Sequence, residues 1–263
     1  MWAGRENIDP KDNPSAAHRQ WWDNNSHDYL TEHGETLGDV QFMWGPEGAT
    51  EESLHVLGDL SQARVLEFGC GAAQCSRALA KLGVTVVATD ISPRMLRAAS
   101  QLNERHGIDV PLLAADVLTL PFRSGSFDVA FTSFGAFPFI EDLGDACSEL
   151  ARVLRPGGIL AYSTPHPTRW MFPDSPTRDA MIVTTPYFDR RAYVERNDDD
   201  ELAYVEFHHT LTDHSTALAA AGFVIERIWE PEWPAERTLV WGGWGPERSP
   251  WIPGTLIIRA RKM

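Results

Sequence analysis

Short apolar runs alternate with amphipathic stretches through the middle of the chain. The runs predict strands of a sheet that is buried on both faces, and they cover 64–68, 84–89, 110–114, 127–131 and 159–163. The amphipathic stretches predict helices, of which the first two end at Gly83 and Gly107 and the third covers 142–154. Strand and helix in this alternation predict a doubly wound α/β sheet, which binds ligands at the carboxyl ends of its strands.

The alternation stops after residue 163. Residues 164–209 are rich in proline and contain two similar tetrapeptides, at 192–195 and 203–206, which predict an antiparallel hairpin with an acidic turn. We interpret the acidic residues of that turn as a solvated loop rather than a metal site. The sequence therefore predicts no metal.

Two more strands and a helix complete the pattern. The helix covers 213–221, and the strands cover 223–229 and 255–260. The loop 231–252 is far longer than a connection between two strands needs, and loops of that length are seldom passive. All ten tryptophans lie outside residues 45–169, and several are in this loop.

Composition narrows the range of functions. The 263 residues contain 23 Lys and Arg against 37 Asp and Glu, and a net charge of −14 disfavours nucleic acid as a partner. No apolar run reaches the roughly 18 residues of a membrane span, and the first residues show no signal peptide, so we expect a cytoplasmic protein away from membranes. Cys70, Cys75 and Cys147 lack zinc-like spacing and are interpreted as free thiols. No pattern predicts an oligomeric state.

The strongest chemical signal is the turn between the first strand and the first helix. Gly69 and Gly71 permit a tight turn and let a ligand approach the backbone beside the amino end of a helix. Asp90 ends the second strand, where a carboxylate can accept hydrogen bonds from both hydroxyls of a ribose. Asp116 follows the third strand, where it can accept from an adenine amino group. Glu67 would repel a pyrophosphate and favours a ligand with an ammonium or sulfonium group.

Five short segments together resemble the class I S-adenosylmethionine-dependent methyltransferases. They follow that family's order and spacing, and they are Leu66-Glu67-Phe68-Gly69-Cys70-Gly71, Ala88-Thr89-Asp90-Ile91-Ser92, Ala115-Asp116-Val117, Phe127-Asp128-Val129 and Leu154-Arg155-Pro156-Gly157-Gly158. The resemblance is tight over residues 64–163 and looser beyond. It implies a Rossmann-like, doubly wound seven-stranded sheet with an antiparallel last strand. Many members have glycine where this chain has Ala73, and we expect the small methyl group to be tolerated.

The resemblance also implies a division of the chain. Residues 1–60 would form N-terminal cap helices, and 61–163 the Rossmann-like cofactor-binding core. Residues 164–209 would form an inserted lid, and 210–263 the end of the core sheet with the lid loop 231–252.

S-adenosylmethionine is the cofactor that the resemblance implies. Gly69 and Gly71 would approach its methionine part, and Asp90 would hold the ribose. Ile91 and Met95 would flank the adenine, with Asp116 and Val117 at its edge. The residues expected to contact the cofactor are Glu67, Gly69, Cys70, Gly71, Gln74, Asp90, Ile91, Met95, Asp116, Val117 and Ser133.

The expected acceptor is a small molecule. Segment 132–135 lacks the signature of the amino-methylating nucleic-acid enzymes and the metal-binding carboxylates of the catechol type. What remains resembles the methyltransferases of ubiquinone and menaquinone biosynthesis, whose N-terminal helix folds over the cofactor. The residues expected to contact the acceptor are Tyr29, His33, Phe134, Trp170, Trp241 and Trp244.

A general base would contribute a factor of roughly 10²–10⁴ if the acceptor atom must lose a proton. His166 directly follows the fifth strand and is the first candidate, with His208 or His209 second. The alternative interpretation is a packing or capping role for His166 and a solvated side chain for His208 and His209.

Two other functions remain open from the sequence alone. A nicotinamide-dependent oxidoreductase would use a similar sheet, although Glu67 and the missing third glycine argue against it. A non-catalytic adenosylmethionine-binding partner protein would share the cofactor motifs. The aromatic flanking segments argue against that role, because a sensor has little use for them.

Overall fold

The computed structural model describes residues 2–263, which form strands and helices in alternation along most of the chain. The strands are β1 Trp2–Glu6, β2 Arg64–Phe68, β3 Thr85–Asp90, β4 Leu112–Ala114, β5 Phe127–Thr132, β6 Leu154–Pro165, β7 Ala192–Arg196, β8 Leu202–Glu206, β9 Phe223–Trp229 and β10 Thr255–Lys262. The α-helices are α1 Pro14–Leu37, α2 Glu51–Leu54, α3 Gln74–Lys81, α4 Pro93–His106, α5 Leu143–Val153 and α6 Leu211–Ala220.

Seven of the strands form one sheet in the order β4-β3-β2-β5-β6-β10-β9. The first five of these strands are parallel, and β10 is antiparallel to both β6 and β9. This confirms the predicted doubly wound sheet with an antiparallel last strand. The strand order reverses between β2 and β5, and open α/β sheets bind ligands at such a point.

Strand β6 begins at Leu154, earlier than predicted, and it includes the predicted turn at Pro156-Gly157-Gly158. Leu154 pairs with Phe127 and Ile159 pairs with Val129, so β6 carries extra residues opposite β5. Gly157 has a φ of +77° within this stretch, which glycine adopts without strain. The predicted turn is therefore an irregular part of the strand.

Three strands form a second sheet, in the order β1-β7-β8. The hairpin of β7 and β8 confirms the prediction from the two tetrapeptides. The expectation of helices over residues 1–60 omits β1, which shows no alternation of polar and apolar residues and pairs with a distant partner. Arg196 of β7 joins the hairpin to the N-terminal segment, since its guanidinium lies 2.7 Å from Glu6 and 2.6 Å from Asp12.

Apolar side chains cover both faces of the seven-stranded sheet. Helices α3 and α4 contribute buried residues to one cluster, and α5 and α6 contribute to the other. Neighbouring residues of one strand enter opposite clusters, as Val65 and Leu66 do, because side chains alternate along a strand. Because the helices cover the two faces of the sheet, a ligand site is expected at the carboxyl edge of the parallel strands.

Three further findings concern residues 2–263 as a whole. None of their helices combines the length and the apolar character needed to cross a membrane. Within the same range, no three His, Cys, Asp or Glu side chains are grouped so that they could hold a metal ion. Cys70, Cys75 and Cys147 are buried and unpaired, and burial raises the pKa of each thiol.

Candidate active site

A cavity of about 480 Å³ lies at the carboxyl ends of β2, β3 and β5. Helix α1 and segment 41–46 contribute one wall, and the loops after β2, β3, β4 and β5 contribute the other. Trp241, from the loop between β9 and β10, is also part of the lining. Both the volume and the location are typical of a small-molecule or cofactor site in an open α/β sheet.

The turn after β2 brings the backbone to the cavity in a conformation that favours glycine. Gly69 and Gly71 line the cavity with φ of +61° and +53°. A Cβ on Gly69 would lie 2.9 Å from the Cβ of Ala136, so a side chain does not fit there. Ala73 also has a positive φ, +58°. An alanine with this φ carries backbone strain that glycine would not. The expectation that only the size of the methyl group matters at residue 73 is therefore corrected.

Asp90 places its carboxylate beside this turn, at the end of β3. Its Oδ2 accepts a hydrogen bond from the Gly71 N–H at 2.7 Å, and its Oδ1 accepts one from the Ser92 N–H at 2.8 Å. Burial raises the pKa of the carboxyl, and the two N–H donors oppose that effect. Each oxygen keeps a second lone pair, so the side chain can also accept from two hydroxyl groups of a ligand.

Glu67 is the most buried acid of the cavity wall, with 2% of its surface exposed. Its Oε2 accepts hydrogen bonds from the N–H of Ser76, at 3.0 Å, and from the Ser76 hydroxyl. Burial raises the pKa of this carboxyl to about 7, although the Ser76 bonds and the charge of Arg77 lower it. A cationic group on a ligand would favour the ionised form.

The other cofactor candidates lie along the same wall. Asp116 caps a short 3₁₀ helix, since its Oδ1 accepts from the Leu118 N–H at 3.0 Å. Ser133 donates its hydroxyl to the carbonyl of Met43 and so joins the two walls. The structure brings every predicted cofactor residue to this cavity, namely Glu67, Gly69, Cys70, Gly71, Gln74, Asp90, Ile91, Met95, Asp116, Val117 and Ser133.

His166, the first candidate for the general base, does not line the cavity. It caps the 3₁₀ helix Pro167–Met171, and its Nδ1 accepts from the Thr168 N–H at 3.2 Å. Its Nε2 lies 2.9 Å from a carboxylate oxygen of Glu230. Burial lowers the pKa of the imidazole, and Glu230 opposes that effect. Both ring nitrogens are engaged in holding loops together.

His208 and His209, the second candidates for the base, also lie outside the lining. The Nε2 of His208 is 2.7 Å from the carbonyl of Tyr187, and that of His209 is 2.7 Å from the carbonyl of Ile140. Burial lowers the pKa of both rings. Both histidines therefore act as neutral rings that donate to a backbone carbonyl and help to position the loops of this region.

Three of the six predicted acceptor residues line the cavity, and three do not. Tyr29, Phe134 and Trp241 are in the lining. Trp170 is instead buried between the guanidinium groups of Arg5 and Arg169, and Trp244 lies under Arg248. His33 stacks on Trp241, with the ring centroids 4.6 Å apart. Cation–π and stacking contacts explain these aromatic residues as packing.

The segment 164–209 contributes no residue to the lining, although we expected it to form part of a lid. Its strand β8 packs against α1 instead. Within residues 2–263, the cover of the cavity is therefore α1 and segment 41–46 with Trp241. The inserted segment supports this cover from behind.

His18 lines the cavity and was not predicted. Only 4% of its surface is exposed, and its Nε2 lies 2.9 Å from the carbonyl of Val205 in β8. The ring meets Phe139 edge-on at 5.1 Å. Its position four residues before Trp22, which also lines the cavity, is the signal that places both on one face of α1.

Aromatic side chains link α1 to the distal loop. Trp22 meets Tyr29 at 5.2 Å, Tyr29 meets His33 at 4.8 Å, and His33 stacks on Trp241. This row of four rings runs along the cover and joins it to the loop between β9 and β10. Burial raises the pKa of Tyr29 to about 12, so its phenol stays protonated at neutral pH.

Comparison with known proteins identifies the central domain and the fold. Residues 66–162 match the family model described as a methyltransferase domain. The structure of an S-adenosylmethionine-dependent methyltransferase from Mesorhizobium loti is similar with a TM-score of 0.61 and 26% identity, over 79% of this chain and 94% of that one. Residues 66–162 thus form a methyltransferase domain, and the fold of the chain is that of S-adenosylmethionine-dependent methyltransferases.

Two curated relatives are similar over part of their length. A malonyl-[acyl-carrier protein] O-methyltransferase of Pseudescherichia vulneris is 40% identical over 109 residues, which is 41% of this chain and 41% of that protein. A demethylmenaquinone methyltransferase of Thermus thermophilus is 36% identical over 129 residues, 48% of this chain and 55% of that protein. The chain thus matches about half the length of these relatives.

Proposed function

We propose that the protein transfers the methyl group of S-adenosylmethionine to an oxygen, nitrogen or carbon atom of a small molecule. The observation that carries the proposal is Asp90. Its buried carboxylate lies beside the Gly69–Gly71 turn, and its free lone pairs suit the two hydroxyls of a ribose. This arrangement occurs at one wall of a cavity that is large enough for a cofactor and an acceptor.

The residues of the cavity fit the cofactor. Gly69 and Gly71 line the cavity without side chains, so the methionine part could approach the backbone of this turn closely. Asp90 would hold the ribose, Asp116 would accept from the adenine, and Glu67 suits the nearby ammonium group. When bound, S-adenosylmethionine supplies a methyl group already activated by its sulfonium.

The chain itself contributes alignment and the exclusion of water. Helix α1 and Trp241 cover the cavity, and Phe134 borders it with a positive φ of +60°, a strained conformation of the kind that clusters at active sites. Alignment of two reactants can lower the activation barrier by several kcal/mol, on the order of 7–11 kcal/mol in the best cases. Tyr29 can donate a hydrogen bond to an acceptor, but its raised pKa prevents it from removing a proton.

We further propose that the enzyme works in the cytoplasm and without a nucleic-acid partner. Three buried, unpaired thiols suit a reducing compartment. The net charge of −14 disfavours contact with phosphate backbones. A ring-bearing acceptor suits the aromatic residues in the lining, and the relatives' named substrates illustrate the range that this class accepts.

Calorimetric titration tests the cofactor assignment. S-adenosylmethionine and S-adenosylhomocysteine should bind, and NAD should not. Asp90→Ala should weaken binding by about 1.5–3 kcal/mol, which is the range for hydrogen bonds to a charged group. Asp109→Ala, an exposed position outside the cavity, is the matched control. Binding of NAD with no binding of either sulfur compound would contradict the proposal.

A further inference from the structure

A side chain of the cover contacts the loop that begins with Asp90. Asp23 of α1 accepts hydrogen bonds at its Oδ1 from the Ser92 hydroxyl, at 2.7 Å, and from the Arg94 N–H, at 3.0 Å. Ser92 also donates its own N–H to Oδ1 of Asp90 at 2.8 Å. One buried serine therefore bridges the carboxylate of the cover helix and the carboxylate that suits a ribose.

The same contact completes the amino end of α4. The first N–H groups of a helix have no partner within the helix, and Pro93 at the first position has no N–H at all. The Met95 N–H donates to the Ser92 hydroxyl at 3.1 Å, whereas the Arg94 N–H donates to Asp23. A carboxylate is favourable there, because it faces the positive end of the helix dipole. Helix α1 thus supplies a partner that the N-cap Ser92 does not.

Apolar packing contributes little to the seating of α1. Three of its 24 residues are buried, namely Ala17, His18 and Ser26. Among residues 2–263, neither of the two apolar clusters on the faces of the sheet includes a residue of α1. A groove of about 430 Å³ lies beside the Asp23 contact, with Arg19 and Asn24 in its lining. The position of the helix at this end therefore depends strongly on the hydrogen bonds of Asp23.

We propose that Asp23 is a positioning residue for the cofactor, which seats α1 on the Asp90 loop so that the seated helix retains the cofactor. The inference rests on the proposed function, because the cofactor is the one proposed there. Asp90, Ile91 and Met95 of the loop line the cavity, and so does Trp22, the neighbour of Asp23 in α1. A ribose on Asp90 would fix the loop from the side opposite to Asp23.

The two contacts should therefore reinforce each other. Whatever factor the seated helix adds to cofactor affinity, the bound cofactor must add to the seating of the helix. A residue that only caps α4 would instead stabilise the free and the bound protein equally. This difference makes the inference testable.

Calorimetric titration with S-adenosylhomocysteine measures the first half of this coupling. Asp23→Ala removes both hydrogen bonds, and the dissociation constant should rise about tenfold, the lower end for bonds to a charged group, because Asp23 is half-buried. Asp23→Asn keeps an Oδ1 acceptor and should stay within about threefold of the wild type. Asp28→Asn, exposed on the same helix and outside the lining, is the matched control and should bind like the wild type. Wild-type affinity in Asp23→Ala overturns the inference, and so does equal weakening by Asp23→Ala and Asp23→Asn.

Hydrogen exchange of the α1 amides measures the second half. S-adenosylhomocysteine should slow this exchange at least about fivefold in the wild type and much less in Asp23→Ala. The variant should keep the circular dichroism of the wild type, because the clusters on the sheet do not involve α1. No slowing in the wild type, or the same slowing in the variant, overturns the inference. Failure of S-adenosylhomocysteine to bind the wild type refutes the proposed function instead.

Discussion

Glu67→Gln is the most informative single substitution among the predicted cofactor residues of the cavity wall. The carboxyl is buried and its pKa is raised to about 7, against 4.5 for an ordinary glutamate. Glutamine has nearly the same shape and can still accept from the N–H and hydroxyl of Ser76. The variant therefore removes the ionisation and keeps the packing.

The sign of the effect follows from the raised pKa. Between pH 4.5 and 7 the folded protein binds a proton at Glu67 that the unfolded chain has already released, so the free energy of unfolding falls as the pH rises. A shift of one pKa unit corresponds to about 1.4 kcal/mol, so this group lowers the stability by about 2–3 kcal/mol from about pH 5 to about pH 8.5. The Glu67→Gln variant should not lose this stability. Its free energy of unfolding, relative to that of the wild type, should therefore increase with pH.

Urea unfolding at a series of pH values measures this difference directly. Subtracting the wild-type free energy from that of Glu67→Gln cancels the other titrating groups, including the buried histidines. The difference should rise by about 2–3 kcal/mol across the range. Glu104→Gln, at an exposed position, should give a flat difference. A flat difference for Glu67→Gln as well would refute the assignment of a raised pKa to this carboxyl.

Two further substitutions test the turn and the cover. Gly69→Ala should cost about 1–2 kcal/mol of unfolding free energy or more, because φ is +61° and the new Cβ would crowd Ala136. Gly34→Ala is its control, because it lies in α1 with open space for a Cβ and should instead stabilise the fold by about 0.5–1 kcal/mol. Trp241→Ala removes the stack between the distal loop and α1, so stopped-flow fluorescence should show faster release of S-adenosylhomocysteine. The exposed Trp251→Ala should not, and equal release rates for the two variants would contradict the role of the stack.

That Gly69, Asp90 and Asp116 lie at one cavity could be predicted, because local rules determine the positions of such residues. Glycines with positive φ and a carboxylate at a strand end have recognisable neighbours in the sequence, and the parallel sheet brings strand ends to one edge. Gly69, Asp90 and Asp116 were found in this way. The hairpin of β7 and β8 could also be predicted, because two similar tetrapeptides occur in the sequence at 192–195 and 203–206.

The acceptor side could not be predicted in the same way. His166 follows a strand at the correct edge, but Glu230 from a distant loop turns it away from the cavity. His18 enters the lining because β8 accepts its Nε2 proton, a contact between residues 187 positions apart. Such pairings depend on how the inserted segment packs, which hydrophobic periodicity does not report.

The pairing of β1 with β7 has a consequence for the order of folding. Arg196 and Glu6 join segments 190 residues apart, and within residues 2–263 β1 pairs with β7 alone. Contacts between such distant segments form late, because closing a long loop costs entropy before any contact repays it. Residues 2–6 must therefore wait until most of the chain has been synthesised. We expect α1 to settle over the cavity only after β7 and β8 have emerged from the ribosome, so that a shorter nascent chain has parallel strands but no closed cavity.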